Sequence, residues 1–221
     1  SSKRVGRRLI PEYRVESSDV FNNPETYEIE IELDALMGSL STQFKNDLIR
    51  QLKTTIKYVL SGIQQTNFPI SITEQNEVLQ NYMKILYNDS VPERRIKSRD
   101  FVGPSSISLE RPNIAPLQED SMVPNIRLPY TVTEKADGVR KLMMINSKGK
   151  IYLIDVNMKV QFTGIVSKNK DAFNTILDGE HVLHDKFGAF INKYLAFDIY
   201  YIKKNDVRAN PFYVFDDTNK E

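Results

Sequence analysis

Tyr130-Thr131-Val132-Thr133-Glu134-Lys135-Ala136-Asp137-Gly138-Val139-Arg140 is the stretch on which the reading of this chain turns. A lysine becomes a nucleophile only when burial, neighbouring cations or a metal pull its pKa down. The arginine five residues later offers a planar fork of donors suited to phosphate or ribose oxygens. Gly138 lets the backbone between them turn sharply and come close to a ligand. The same residues also read as a polar Asp-Gly turn joining two strands, and the motif alone leaves both readings open.

Two downstream segments bear on the choice. Thr175-Ile176-Leu177 runs into Asp178-Gly179-Glu180-His181-Val182, which reads as an apolar strand ending at a glycine bend that presents a carboxylate. Such a carboxylate suits a ribose hydroxyl or the neighbourhood of a divalent cation; a solvated strand end is the plainer alternative. Tyr194 to Ile202 is largely apolar, as a buried strand would be. Phe197 in that run is either core or a flat surface for stacking a base. Asp198 beside it needs a partner, because an unpaired carboxylate in an apolar run is costly.

In order and spacing, these three segments resemble the covalent nucleotidyltransferases, a superfamily of mRNA guanylyltransferases and ATP-dependent polynucleotide ligases. Lys135-Ala136-Asp137-Gly138-Val139-Arg140 is similar to their KxDGxR motif, Thr175 to Val182 with its Asp178-Gly179-Glu180 to their DGE motif, and Tyr194-Leu195-Ala196-Phe197-Asp198-Ile199 to their later hydrophobic strand containing Phe-Asp. Phe101-Val102-Gly103-Pro104 through Leu109 resembles the segment ahead of the guanylyltransferase nucleophile. The resemblance covers about residues 100 to 215. It implies Lys135 as the catalytic nucleophile, with Arg140 on ribose or phosphate, Glu180 on a ribose hydroxyl or the metal side, and Phe197 stacked on the purine. Asp198 is left structural or on the metal side.

The front of the chain carries separate chemistry. Glu28, Glu30 and Glu32 alternate with Ile29, Ile31 and Leu33. On a strand, alternate residues share a face, so the three carboxylates would line one side at a spacing of about 7 Å. A wet acidic face is the plain reading; a cation or arginines opposite would relieve the repulsion between like charges. Tyr27 to Leu33 resembles the last glutamate strand of the metal-dependent tunnel RNA triphosphatases, and Tyr13 to Val20 the strand before it. That likeness implies Glu28, Glu30 and Glu32 as ligands of Mg²⁺ or Mn²⁺. A triphosphatase strand followed about 100 residues later by KxDGxR is the order of capping enzymes in large DNA viruses.

The expected organisation is therefore α+β. Residues 1–65 would be the C-terminal part of a β-tunnel triphosphatase module. Residues 66–221 would be the N-terminal part of an antiparallel-sheet nucleotidyltransferase domain of the ligase/guanylyltransferase type. Locally, residues 10 to 34 read as extended, with a turn at Asn22-Asn23-Pro24. Leu40, Phe44, Leu48, Leu52, Ile56 and Leu60 predict a helix from Ser39 to Ser61, stopped by Gly62. Ser71 with Glu74 three residues on predicts a second helix to Tyr87. Six prolines punctuate residues 90 to 129, and beyond Tyr130 strands dominate, with a hairpin at Ser147-Lys148-Gly149.

Composition excludes some classes. The 221 residues include 30 Lys and Arg against 29 Asp and Glu, so no global charge marks a nucleic-acid sponge. Basic residues gather at Lys3, Arg4, Arg7, Arg8 and Arg14, and again at Arg94, Arg95, Lys97 and Arg99, as solvated surface or phosphate-facing patches. There is no cysteine, so disulfides and thiolate zinc sites are excluded. His181 and His184, the only histidines, sit at a spacing that places them on opposite faces of a strand, which predicts surface positions. Neither an apolar run near 18 residues nor a signal peptide appears, which predicts a soluble intracellular protein, viral by the resemblance, in host cytoplasm or virion.

The resemblance implies mRNA capping: GMP passes from GTP through a lysine-GMP intermediate to diphosphate-ended RNA, after removal of the γ-phosphate of triphosphate-ended RNA. GTP and RNA would be the partners, with a methyltransferase domain or subunit as a further one, and no membrane. The chain begins at Ser1 and lacks the later basic strand, an OB-type domain and an upstream glutamate strand, so an incomplete piece of a longer polypeptide is expected. An ATP-dependent polynucleotide ligase of the same superfamily and a non-catalytic RNA-binding or scaffold fragment stand as alternatives.

Overall fold

Six antiparallel strands form the sheet that carries all three downstream motifs. The structure is a computed structural model and describes residues 2–5, 8–14, 16–17, 28–32, 41–92, 94–117, 121–128 and 130–212. The chain divides into two compact units, Ser1–Ile56 and Lys57–Glu221, with the boundary inside the first helix.

In the first unit, strands β1 (Ser2–Val5) and β2 (Arg8–Pro11) pair as an antiparallel hairpin. The expected strand from Tyr13 to Val20 is not formed where it is described: Tyr13 lies in a bend, and Glu16 and Ser17 lie in a turn. Residues 28–32 adopt no strand either, and Glu28, Glu30 and Glu32 are exposed. This corrects the glutamate-strand expectation. A strand needs a partner for its backbone donors and acceptors, and among the described residues none pairs with this segment. The rest of the expected Tyr27–Leu33 and Tyr13–Val20 strands, and the Asn22-Asn23-Pro24 turn, lie outside the described residues.

Helix α1 spans Thr42–Gln64. Ser41 opens it by accepting from the Phe44 amide at 3.2 Å. The helix does not stop at Gly62 as expected. It ends at Gln64, where Gln65 takes φ +52° and the Thr66 amide donates to the Ser61 carbonyl at 3.2 Å. Gly62 is tolerated inside the helix, and the left-handed residue comes three positions later. Among the described residues no helix is long and apolar enough to cross a membrane.

In the second unit, helix α2 (Ile72–Leu86) begins as the sequence requires, with Ser71 accepting from the Glu74 amide at 3.0 Å. The Glu74 carboxylate turns to the sheet instead of back to the cap. It accepts from Lys150 at 2.7 Å and from the Tyr152 hydroxyl at 2.8 Å. The sheet consists of β3 (Val139–Ile145), β4 (Lys150–Asp155), β5 (Val160–Val166), β6 (Thr175–His184), β7 (Phe190–Ile202) and β8 (Asn205–Asp206). Their spatial order is β5-β4-β3-β6-β7-β8, and every pairing is antiparallel. The β3–β4 hairpin turns at Ser147-Lys148-Gly149, as expected.

Alternation sets the core. Leu142 and Met144 of β3, Tyr152 and Ile154 of β4, Ile176 of β6 and Tyr200 of β7 are buried with Val78, Tyr82, Met83 and Ile85 of α2. The other face holds Lys141, Met143, Leu153, Gln161, His181 and Tyr194. β7 is less buried than its apolar sequence predicts: of its thirteen residues only Tyr200 and Tyr201 are buried, because no described element covers its first half. A six-strand antiparallel sheet with helices makes this an α+β unit.

Truncating Met144 should empty space at the centre of this core. Met144→Ala is expected to cost about 2–5 kcal/mol in urea unfolding, whereas Ile165→Ala, 58% exposed, should stay within about 0.5 kcal/mol. Equal costs would contradict the core placement.

Candidate active site

Strand register brings the motifs together. Arg140 of β3 lies directly opposite Glu180 of β6, and Leu142 lies opposite Asp178. On the far side of β6, Asp178 pairs with Asp198 and Gly179 with Ala196 of β7. The end of KxDGxR (Val139 and Arg140), DGE and Phe-Asp thus occupy three adjacent strands, although 38 residues separate Arg140 from Asp178.

Two glycines permit this closeness. A Cβ on Gly138 would meet the His181 carbonyl oxygen at 2.6 Å, and one on Gly179 would meet the Leu195 carbonyl at 2.5 Å. Both are closer than a side chain tolerates. Asp178-Gly179-Glu180 therefore does not form a strand-end bend, as the sequence suggested. It lies in the middle of β6, with Gly179 giving space to the Tyr194 ring.

Asp178 is the buried centre of the arrangement, with no exposed surface. Arg140 grips it with two donors, Nε to Oδ1 at 3.1 Å and Nη2 to Oδ2 at 2.6 Å. The Tyr200 hydroxyl donates to the same carboxylate. Arg140 Nη1 also donates to the Pro104 carbonyl at 2.7 Å, and its guanidinium lies 5.5 Å from the Phe101 ring centre. The Asp178 contact holds the Arg140 pKa above its usual value, and burial pushes the Tyr200 hydroxyl up as well. In this state Arg140 gives its donors to the protein, not to open solvent. Sequence reading missed the role of Asp178. The signal was present, since Asp178 follows Thr175-Ile176-Leu177 and a carboxylate on an apolar strand requires a cation.

Lys135 lies just before β3. Its ammonium donates to Asp137 Oδ1 at 2.7 Å, and both side chains are almost fully exposed. Asp137 raises the lysine pKa, the reverse of what a nucleophile needs. Glu180 lies half-buried opposite Arg140.

Phe197 and Asp198 line a cavity of about 560 Å³ with Leu177, Ile199, Arg208 and Phe212. Phe197 is 41% exposed, which leaves ring surface for a flat ligand. Asp198 finds its partner locally, accepting from the Ile199 amide at 2.7 Å. On the opposite sheet face, Lys141 donates to Gln161 at 3.1 Å and meets His181 Nδ1 at 3.0 Å. His181 Nε2 reaches Asn192 Oδ1 at 2.8 Å. The prediction that both histidines are exposed holds for His184 and fails for His181, which is buried on β6. Its burial lowers its pKa, as burial lowers that of Lys141. Lys135, Arg140 and Glu180 line neither this 560 Å³ cavity nor the two on the Lys141 face.

Among the described residues no three His, Asp or Glu side chains converge to hold a metal ion. Glu28, Glu30, Glu32 and Asp198, the expected ligands, do not form such a group.

A family model described as mRNA capping enzyme, catalytic domain, matches residues 47–217. A probable mRNA-capping enzyme of Acanthamoeba polyphaga mimivirus is 26% identical over 193 residues, covering 86% of this chain and 14% of that protein. An mRNA-capping enzyme of Danio rerio is 30% identical over 105 residues, covering 45% of this chain and 16% of that protein. The chain therefore spans less than a fifth of the length of these relatives.

Removing one partner of the buried pair should be severe. Asp178→Ala is expected to cost about 3–5 kcal/mol in urea unfolding, because it strands the Arg140 guanidinium; a cost under about 1 kcal/mol would contradict the pairing. His181 adds a pH dependence. Its folded pKa lies below its unfolded value of about 6.5, so the neutral ring's contribution is complete above that pH and fades as the pH falls through the folded pKa. Melting temperature should therefore drop between pH 7.5 and 5.5, and His181→Gln should flatten that drop; an unchanged slope would contradict it.

Proposed function

The chain belongs to the mRNA capping enzyme catalytic-domain family, and from that premise we propose that it carries the front of a guanylyltransferase acting through Lys135. The observation that carries the reading is the β3–β6 register, which sets Arg140 of the lysine motif opposite Glu180 of the second motif. In the proposed reaction the neutral Lys135 amine attacks the α-phosphorus of GTP. A nitrogen–phosphorus bond forms, the bond to the β-phosphate oxygen breaks, and pyrophosphate leaves while the amine gives up a proton. A terminal phosphate oxygen of diphosphate-ended RNA then takes the GMP, restoring the lysine.

Each residue has a stated part. Phe197, open at its cavity, offers a stacking face for guanine. Glu180 would accept from a ribose hydroxyl. Arg140 positions the lysine loop through Asp178, and contacts ribose or phosphate only if substrate draws it from that carboxylate. Lys135 must leave Asp137, which holds its pKa up, before it can attack. The Mg²⁺ or Mn²⁺ in this proposal would arrive on the nucleotide phosphates. We also propose residues 1–65 as the end of an RNA triphosphatase module and 66–221 as the transferase part. No hydrolytic step is assigned to Glu28, Glu30 or Glu32. A host-cytoplasm or virion setting, and a methyltransferase as partner, belong to the same proposal.

The exposed Lys135–Asp137 pair favours a second reading, a non-catalytic RNA-binding fragment. Incubating a native polypeptide that contains this chain with α-labelled GTP or ATP separates the cases. The proposal expects label from GTP that survives alkali and is released by acid, as a nitrogen–phosphorus bond requires, and that is lost at least a hundredfold in Lys135→Ala. Label from ATP instead would point to a ligase, and no label from either nucleotide to the binding fragment.

A further inference from the structure

The second basic cluster of the sequence has a definite conformation. Residues 93–100 carry four cations and two carboxylates, a local net charge of +2 in a chain whose total is +1. Two of these charges cancel internally. Arg94 grips Asp100 with both terminal nitrogens, and Asp100 is buried at 5% exposure. The same carboxylate accepts from the Lys97 amide at 2.8 Å and closes the 3-10 turn Ser98–Asp100. The Asp100 carbonyl accepts from the buried Tyr82 hydroxyl at 2.7 Å, and that hydroxyl accepts from the Val102 amide at 2.8 Å. Ile96 packs against the core.

Beyond that pair and Glu93, which lies outside the described residues, stand Arg95, Lys97 and Arg99. All three are exposed, and among the described residues none has an ion-pair partner. Three exposed cations on an anchored turn differ from cations on a loose tail, because little entropy is lost when they meet an anionic strand. The turn also leads directly into the candidate site. Phe101, the next residue, lies against the Arg140 guanidinium, and the Pro104 carbonyl accepts from it.

We propose that Arg95, Lys97 and Arg99 form a docking surface for the phosphodiester backbone of single-stranded RNA, guiding its 5′ end toward the Lys135 motif. The proposal rests on the capping reading for its direction, but its test does not depend on nucleotide transfer. Arginine and lysine contacts to phosphate release counterions, so each contact steepens the salt dependence of binding. The surface is sequence-blind, because nothing in it is placed to read base edges.

The test measures binding of a mixed-sequence, 5′-diphosphate single-stranded RNA by fluorescence anisotropy between 50 and 200 mM salt. The patch variant is Arg95→Gln/Lys97→Gln/Arg99→Gln. A charge-matched control, Lys168→Gln/Lys170→Gln/Lys193→Gln, removes three exposed cations elsewhere. The patch variant is expected to lose at least tenfold in affinity at 50 mM salt, with its log–log salt slope shallower by about 2. The control should change by less than half as much, and labelling of the patch variant by GTP without RNA should be unaltered. Equal losses in the two variants would overturn the proposal, as would unchanged RNA binding by the patch variant. So would polyglutamate binding to the wild type as tightly as RNA. If GTP never labels Lys135 yet the patch variant alone loses RNA, the docking surface stands and the transferase reading falls.

Discussion

The buried Asp178 carboxylate is the constraint on which the rest of the site depends. A charge with no exposed surface is tolerated only when donors surround it. Arg140 from β3 and Tyr200 from β7 supply them, so one carboxylate on β6 ties three neighbouring strands. The same arginine reaches Phe101 and Pro104, which fixes the segment ahead of Lys135 to the sheet. The motif residues therefore act as architecture first. Their proximity is a property of the fold, present before any ligand arrives.

The same constraint bears on chemistry. An arginine committed to a buried carboxylate does not also offer its fork to a nucleotide without rearranging. Lys135 presents the matching difficulty, since Asp137 holds its proton. In both features the charged groups satisfy one another. The family to which the chain belongs gives the reason to expect chemistry here, and the chain spans less than a fifth of the length of the relatives it matches.

The sequence made local signals legible and long-range ones less so. Ser71 and Glu74 marked the start of α2, and the turn at Ser147-Lys148-Gly149 was visible because short-range turn chemistry is local. The end of α1 was misread, since a glycine inside a helix costs only about 1 kcal/mol and need not terminate it. The glutamate alternation at 28–32 satisfied a strand pattern without a partner to pair with. Asp178 and Asp198 lie in similar apolar runs, and the sequence alone does not say which of them takes a cation. The structure gives an arginine to Asp178 and only a neighbouring amide to Asp198. His181 was placed outside because its spacing from His184 fixes relative faces, not which face is covered.

Peptide mapping by mass spectrometry of the GTP-treated polypeptide tests the central claim most directly. The account predicts a single guanylate adduct, on the peptide containing Lys135, held through a nitrogen–phosphorus bond that is stable in alkali and cleaved by acid. An adduct on Lys141 instead, the half-buried lysine that burial already drives toward its neutral form, would contradict it.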